Sequence, residues 1–520
     1  MKQRSGWTLL ALLALTGQSA AAQFSPVTIP KKLFRIELGG EFRNADSRFN
    51  GGVTEDLGRS FTANPLGSGF FPTLAASEAA IGQIIGNTNY RLSAGQSVAN
   101  GIMNIGTASI GVSYGLTSRI TLFTTVPIVR TRMQLRLHFD SAGADAGFNP
   151  NDPFLGTPAG RSQTIQFFGE LDAALLTLAA KIQGGDYDGN PADKALAQSA
   201  LNQGTAIRSG LTSVYQDPDA PFVPTAGSSA GTALIDSIAT LQSTIANLSV
   251  AGFATLPPLA ANAASPDEIT SLLSNPGGPI RGFPVRDAVV NLLGDIEGGV
   301  AITLIDSWNR HGPTGGVRAA ITGALRFPTG TLDRPDDFLE IGTGSGYMAA
   351  RVTGTLDLGR GRIGARVTGG YEHGFTATIQ RRVASPFQPF PFASRLADVS
   401  LKPGGLLDLS VTPFLRIAPS LAIIGGVRLR HRAQDDVSFA SSQDSLPGVN
   451  PGDLALATNW NLTSFQAGIT YVSPASADIT NQGFPVEASW TIEGPLSGSG
   501  GLVAKERVMR VQFRMYMRLF

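Results

Sequence analysis

Along residues 33–43 apolar and polar side chains alternate without a break. Phe34, Ile36, Leu38, Gly40 and Phe42 fall on one face, and Arg35, Glu37, Gly39, Glu41 and Arg43 on the other. A period of two is that of a β-strand with one oily and one wet face. Ala108, Ile110, Val112 and Tyr114 repeat it before a short turn at 115–118, and Ile120, Leu122, Val126 and Ile128 repeat it after. There the apolar parity switches beside Pro127 to Val129, Met133, Leu135, Leu137 and Phe139. A one-residue parity change at a proline predicts a β-bulge. Alternation returns at 300–304, 317–327, 348–358, 363–371, 407–415, 421–429, 465–471, 486–492 and 509–519.

These segments predict twelve strands. Short connections (115–119, 359–361, 417–420) alternate with long ones (44–102, 140–293, 376–403, 433–458). An even strand count, with tight turns at one end and long loops at the other, predicts an all-β fold: a closed antiparallel transmembrane β-barrel of the Gram-negative outer membrane. A secreted β-sandwich would share the alternation but not the asymmetry of the loops.

Two stretches depart from period two. Lys2 and Arg4, the apolar run from Trp7 to Leu15 and the small residues Ser19, Ala20, Ala21 and Ala22 form the three parts of a secretory signal peptide over 1–22, leaving 23–520 for the barrel. Residues 140–293 are predicted to form a helical insertion in an extracellular loop. Within it Ile165, Phe168, Leu171, Leu175, Leu178 and Ile182 fall at helical spacing, as do Leu234, Ile238, Leu241, Ile245 and Leu248. Ser265 and Pro266 mark a further helix start, and 74–86 carries another helix.

Composition fits this reading. Charged residues are 15% of the 520, since a face covered by lipid needs no charge. With no cysteine, disulfides, thiolate metal sites and cysteine nucleophiles are excluded. A net charge of +1 gives no general attraction to nucleic acid.

What charge there is gathers on the wet faces of the strands. The residues assigned to the lumen are Arg35, Glu37, Arg130, Arg132, Arg136, Arg318, Arg326, Arg351, Arg362, Arg366, Arg416, Arg428, Arg430, Arg432, Arg510, Arg514 and Arg518. Glu41, Asp295, Glu297, Asp357, Glu372, Asp408 and Glu487 are the accompanying acids. Two arrangements fit this set: a lumen of positive potential that selects solutes, or arginines paired with acids that prop a narrow barrel.

Catalytic signals are weak. None of His138, His311, His373 and His431 stands in a metal-ligand spacing. Residues 186–190 (DYDGN) resemble the start of a calcium loop, but Pro191 replaces its glycine and Ala197 its last acid, so a turn into a helix is expected. Gly342, Gly344 and Gly346 permit close approach of a loop, and Asp333, Asp336 and Asp337 form an acidic rim turn. No enzyme activity, cofactor or metal is expected.

Residues 111–129 (GVSYGLTSRITLFTTVPIV) and 323–374, with their Phe-Pro-Thr-Gly, Gly-Thr-Gly and Gly-Tyr signatures, resemble a family of outer-membrane barrels described as transporters linked to meta-pathway phenol degradation. The likeness covers barrel segments and leaves 140–293 unmatched. It implies passage of small organic, aromatic compounds and transfers no catalytic residue. The terminal Phe520 resembles the signal read by the barrel assembly machinery, although it shares parity with Arg514 and Arg518 and not with the apolar row.

The expected function is therefore an outer-membrane channel or passive transporter for small organic solutes. The alternative is a structural or surface-binding barrel with a closed lumen, whose insertion binds a partner. Expected partners are outer-membrane lipid and lipopolysaccharide, the assembly machinery and a small-molecule solute, with no nucleic acid.

Overall fold

The computed structural model describes residues 27–282, 285–308, 315–384, 388–418, 420–472 and 486–518. The signal segment, His311 and Phe520 lie outside them. The wall consists of β1 (Leu33–Ala45), β2 (Gln96–Gly115), β3 (Ile120–Asp140), β4 (Ile296–Asp306), β5 (Gly315–Phe327) and β6 (Ala349–Arg360), followed by β7 (Ile363–Gly374), β8 (Leu406–Ala418), β9 (Leu421–Arg432), β10 (Trp460–Val472), β11 (Val486–Gly500) and β12 (Arg507–Arg518). Each pairs antiparallel with its sequence neighbour, and β1 with β12 closes the ring. A further segment, Asp287–Leu293, pairs with β3 directly above β4, so that two pieces make one wall strand and the barrel has twelve. Residues 287–293 thus belong to the wall and not to the insertion.

Outward-facing Leu38, Ile110, Leu122, Ile321, Val352, Val411, Leu429, Ile469 and Val511 are all exposed, and such residues continue around the circumference. A closed cylinder with an apolar belt outside and polar side chains within satisfies every backbone group in lipid. The protein is an outer-membrane barrel.

The β-bulge expected at Pro127 is absent. The β2–β3 register runs unbroken from Gln96–Asp140 to Gly115–Thr121. Odd-numbered residues of β3 therefore face inward along its whole length. Val129, Met133, Leu135 and Phe139 are buried inside, while Arg130 and Arg136 are exposed outside. Length accounts for this. The 21 residues of β3, at roughly 3.3 Å each and a tilt of about 40°, rise about 50 Å, twice an apolar band of about 25 Å. Above the membrane the outer face meets water and the inner face meets protein, so polarity inverts while geometry does not. The bulges occur at Ala319/Ala320, Arg416/Ala418 and Thr463/Ser464.

The protein inside that upper barrel is the long-loop material. Helix α1 (Ala75–Ile84) lies in the first loop, and α2 (Pro158–Gly184), α3 (Pro191–Tyr215), α4 (Ser229–Asn247) and α5 (Pro266–Ser274) in the insertion. Their ends are set locally. Thr157 accepts from the Gly160 N–H, Gly185 closes α2 at φ 81°, and Ser265 with Glu268 forms a capping box on α5. Asn190, in the calcium-loop-like turn, caps α3 through the Ala192 and Asp193 N–H groups.

One apolar core unites these helices with the inner wall. It contains Ala45, Met103, Ile105, Val129, Met133, Leu406, Trp460 and Leu462 from the strands, and Phe61, Phe71, Phe167, Phe222 and Phe390 from the loops. Phe71 stacks on Phe390 at 5.6 Å and 12°. The end of the barrel that carries the long loops is filled by a packed core.

Candidate functional site

Below that core the strands enclose a cavity of about 310 Å³. Its walls carry charged groups and hydroxyls: Arg35, Glu37, Glu41, Ser109, Ser113, Thr121, Glu297, Thr322, Arg326, Arg351, Thr355, Arg366, Glu372, Asp408, Ser410, Arg428, Arg510 and Arg514 among others. Strand register brings opposite charges together. Glu37 lies opposite Arg514 and Glu41 opposite Arg510 on β12, while Arg351 faces Glu372 and Asp357 faces Arg366 across β6 and β7. Such cross-strand neighbours have side chains close enough to pair.

They do pair. Arg514 Nε donates to Glu37 at 2.6 Å, and Arg510 Nε to Glu41 at 2.6 Å. Arg366 Nε donates to Asp357 at 2.6 Å, with Arg318 3.4 Å from the same carboxylate. Glu372 receives Arg351 at 2.8 Å and Arg326 at 2.9 Å. Glu493, on β11, gathers three guanidinium groups: Arg510 at 2.7 Å, Arg428 at 3.2 Å and Arg430 at 3.5 Å. Arg428 also donates to Asp408 at 2.9 Å. These arginines are matched by acids instead of presenting bare positive charge, and the pairs tie adjacent or next-adjacent strands along the inner wall.

Of the residues assigned to the lumen from sequence, Arg35, Glu37, Arg318, Arg326, Arg351, Arg366, Arg416, Arg428, Arg430, Arg432, Arg510 and Arg514 sit on the inward parity of their strands. Arg432 and Arg430 are high, where Arg432 bonds Asp435 at 2.8 Å. Arg130, Arg132 and Arg136 are corrections: they face outward, because β3 has no bulge to turn them in. Arg362 is exposed in the tight turn beyond Gly361. Arg518 pairs through its backbone with Leu33, and its side chain lies outside the described set. Sequence reading assigned no lumen role to Glu493 or Glu506. Glu493 stands on the inward parity of β11 with Glu487, so alternation carried to the strand's upper half would have found it.

Chain segments bond to the inner wall at both ends of the cavity. At the long-loop end the loop 328–348 turns inward. Asp295 accepts from the Gly330 N–H (2.9 Å), the Ser345 N–H (2.9 Å) and the Ser345 hydroxyl (2.7 Å). Gly344 has no side chain because the Gly330 backbone occupies the space where a Cβ would stand. The acidic rim turn is tied down by arginines: Asp333 to Arg381 at 2.8 Å, Asp336 to Arg382 at 2.5 Å and Asp337 to Arg334 at 3.2 Å.

At the short-turn end, residues 27–30 enter the mouth. Ile29 donates its N–H to Thr121 Oγ1 at 2.9 Å, and Thr28 and Thr303 share a hydroxyl bond of 2.5 Å. Across from them the Trp308 ring lies under two guanidinium groups, Arg318 at 4.9 Å and Arg416 at 5.7 Å.

Among the described residues no group of three His, Asp or Glu converges as a metal site, and no helix is long and apolar enough to cross a membrane. His138, His373 and His431 are exposed on the outer parity, and His431 Nδ1 lies 2.8 Å from Asn461 Oδ1.

No family model and no curated protein matches the sequence. Among solved structures the chain is similar to an outer-membrane channel from Pseudomonas putida F1, at 8% identity and TM-score 0.42 over 97% of this chain and 100% of that one. It is also similar to the transport unit of the autotransporter AIDA-I from Escherichia coli (7%, TM-score 0.33, 98% and 95%). A third is the Ralstonia pickettii toluene transporter (8%, TM-score 0.27, 98% and 98%).

Proposed function

We propose that the barrel is a gated passive channel for small organic solutes, with the paired-arginine lumen as its conduit. The observation that carries this reading is a polar cavity of about 310 Å³ inside the membrane-spanning section. A barrel serving only as a surface anchor needs no hydrated interior. That volume stands at the lower end of ligand-pocket sizes and suits a molecule of one ring or a short chain.

Arginines that pair with acids through their edges keep planar faces free, and such faces attract aromatic rings. Trp308 already occupies one of these positions, under the acid-paired Arg318, with Arg416 also over its ring. Small aromatic compounds, the class implied by the sequence resemblance, are therefore the proposed cargo. Displacing the Trp308 ring and residues 27–30 would open the periplasmic end. The extracellular core must yield at its contact with loop 328–348.

The test is conductance and solute uptake. Full-length protein in planar bilayers is compared with Trp308→Ala and with Ile29→Gly, and uptake of benzoate- or phenol-sized solutes is followed in proteoliposomes. The reading requires conductance that rises in either variant. Silence in all three, with folded barrels, favours the second reading: a lumen closed by its own ion pairs, in a barrel that displays the helical insertion. The observation behind that alternative is the charge pairing itself, which leaves no bare field to draw an ion in.

A further inference from the structure

The arginines that face away from the lumen form a separate feature. Register places Arg507, Asn44, Asn104 and Arg132 side by side across β12, β1, β2 and β3, all on the outer face. Asn44 donates to Asn104 at 2.8 Å within this row. One step lower Arg130 stands beside Gly106, and one step lower again the level is apolar, with Ile128 beside Ala108 and Leu293. Arg136 stands higher on β3, beside Asn100.

The cationic groups thus begin within one residue pair of the apolar level, about 7 Å along a strand, which is the depth of a lipid headgroup layer, and Val289, Ile102 and Val98 stand exposed among and above them on the same face. Arg132 is held by Asp287 at 2.7 Å, and among the described residues no acid lies within ion-pair distance of Arg130, Arg136 or Arg507. Asp140, at the top of β3, is engaged by Gln96 and the Ala142 N–H.

We propose that this outer wall of β12–β3 binds the phosphorylated glycolipid of the outer leaflet, lipopolysaccharide. Its sugar phosphates would lie on Arg130, Arg136 and Arg507 and its acyl chains along Ile128, Ile110 and Leu122. Guanidinium groups take phosphate oxygens through paired N–H donors, and the asparagine amides between them suit the sugar hydroxyls. The apolar wall directly below distinguishes an amphiphile from a free anion. The site is independent of whether the lumen conducts.

The experiment uses the full chain in detergent micelles, titrated with bisphosphorylated lipid A and followed by native mass spectrometry and by the heat-induced gel shift. Bound lipid A should survive dilution of free lipid. The Arg130→Gln, Arg136→Gln, Arg507→Gln triple variant should lose about a hundredfold in apparent affinity, from roughly one charge-pair energy per arginine removed. Chemically dephosphorylated lipid A should bind the unaltered protein no better than it binds the variant. Equal binding of lipid A by the two proteins, or of both lipid forms by the unaltered protein, overturns the proposal. Phosphatidylglycerol binding as tightly as lipid A, or millimolar inorganic phosphate displacing it, overturns the assignment to the glycolipid. The lipid arms need no variant, so a triple variant that fails to fold still leaves the proposal open to refutation.

Discussion

Glu493→Gln removes one charge and almost no volume from the point where three lumen arginines meet. In the native barrel this carboxylate holds Arg510, Arg428 and Arg430 at 2.7, 3.2 and 3.5 Å. Arg510 keeps Glu41 and Arg428 keeps Asp408 after the change, so the cluster gains a net unit of positive charge without collapsing. For a monovalent ion passing about 10 Å away, one unit charge is worth about 0.4 kcal/mol at the dielectric constant of water and about 1.7 kcal/mol at an effective constant of 20. Anion and cation barriers move in opposite directions, so the anion-to-cation permeability ratio should rise at least about fourfold. The assay is the reversal potential across a salt gradient at low ionic strength, where the screening length reaches about 30 Å. Breaking a buried ion pair costs about 3–5 kcal/mol, so folding is checked by the gel shift, and Arg428→Gln serves as the counterpart of opposite sign. A conducting Glu493→Gln barrel with unchanged selectivity, or one shifted toward cations, would refute a conduction path past these residues.

Other outcomes follow from the same geometry. Phe71 is fully buried between Phe390, Phe139 and Phe222, so Phe71→Ala should cost about 3–5 kcal/mol and expose the insertion to limited proteolysis at lower denaturant. Because the chain has no native cysteine, single introductions map β3 directly: Arg136→Cys should react with an impermeant maleimide on intact cells, and Met133→Cys should not. A bulge at Pro127 would reverse that result. In the insertion, the Glu170 carboxylate accepts the Thr255 and Ala254 N–H groups, which pull its pKa from the usual carboxylate range to about 2. Its contribution is complete above pH 4.5 and lost as pH falls through 2. The Glu170→Gln variant should therefore show a smaller loss of insertion stability than the native chain between pH 5 and 2.5, measured by protease resistance, and an equal loss would contradict the assignment.

Alternation along residues such as Phe34 to Arg43 was enough to establish strand count, closure and the lipid-facing belt, because period two is a local property and twelve oily faces have nowhere to go but lipid. The helices around Leu171 and Leu241 were legible for the same reason, from apolar residues at helical spacing. Charge pairing was only half legible: the sequence offers Glu37 and Arg514, but only the register between first and last strands sets them 2.6 Å apart.

The direction of Arg130, Arg132 and Arg136 was decided by tertiary structure alone. Hydrophobic and charged faces announce which sides differ, not which is inside, and that depends on what surrounds a strand at each height. Where β3 leaves the membrane, water replaces lipid outside and a packed core replaces the polar cavity inside. One uninterrupted strand therefore reads as a strand broken by a bulge, its parity switching at Pro127.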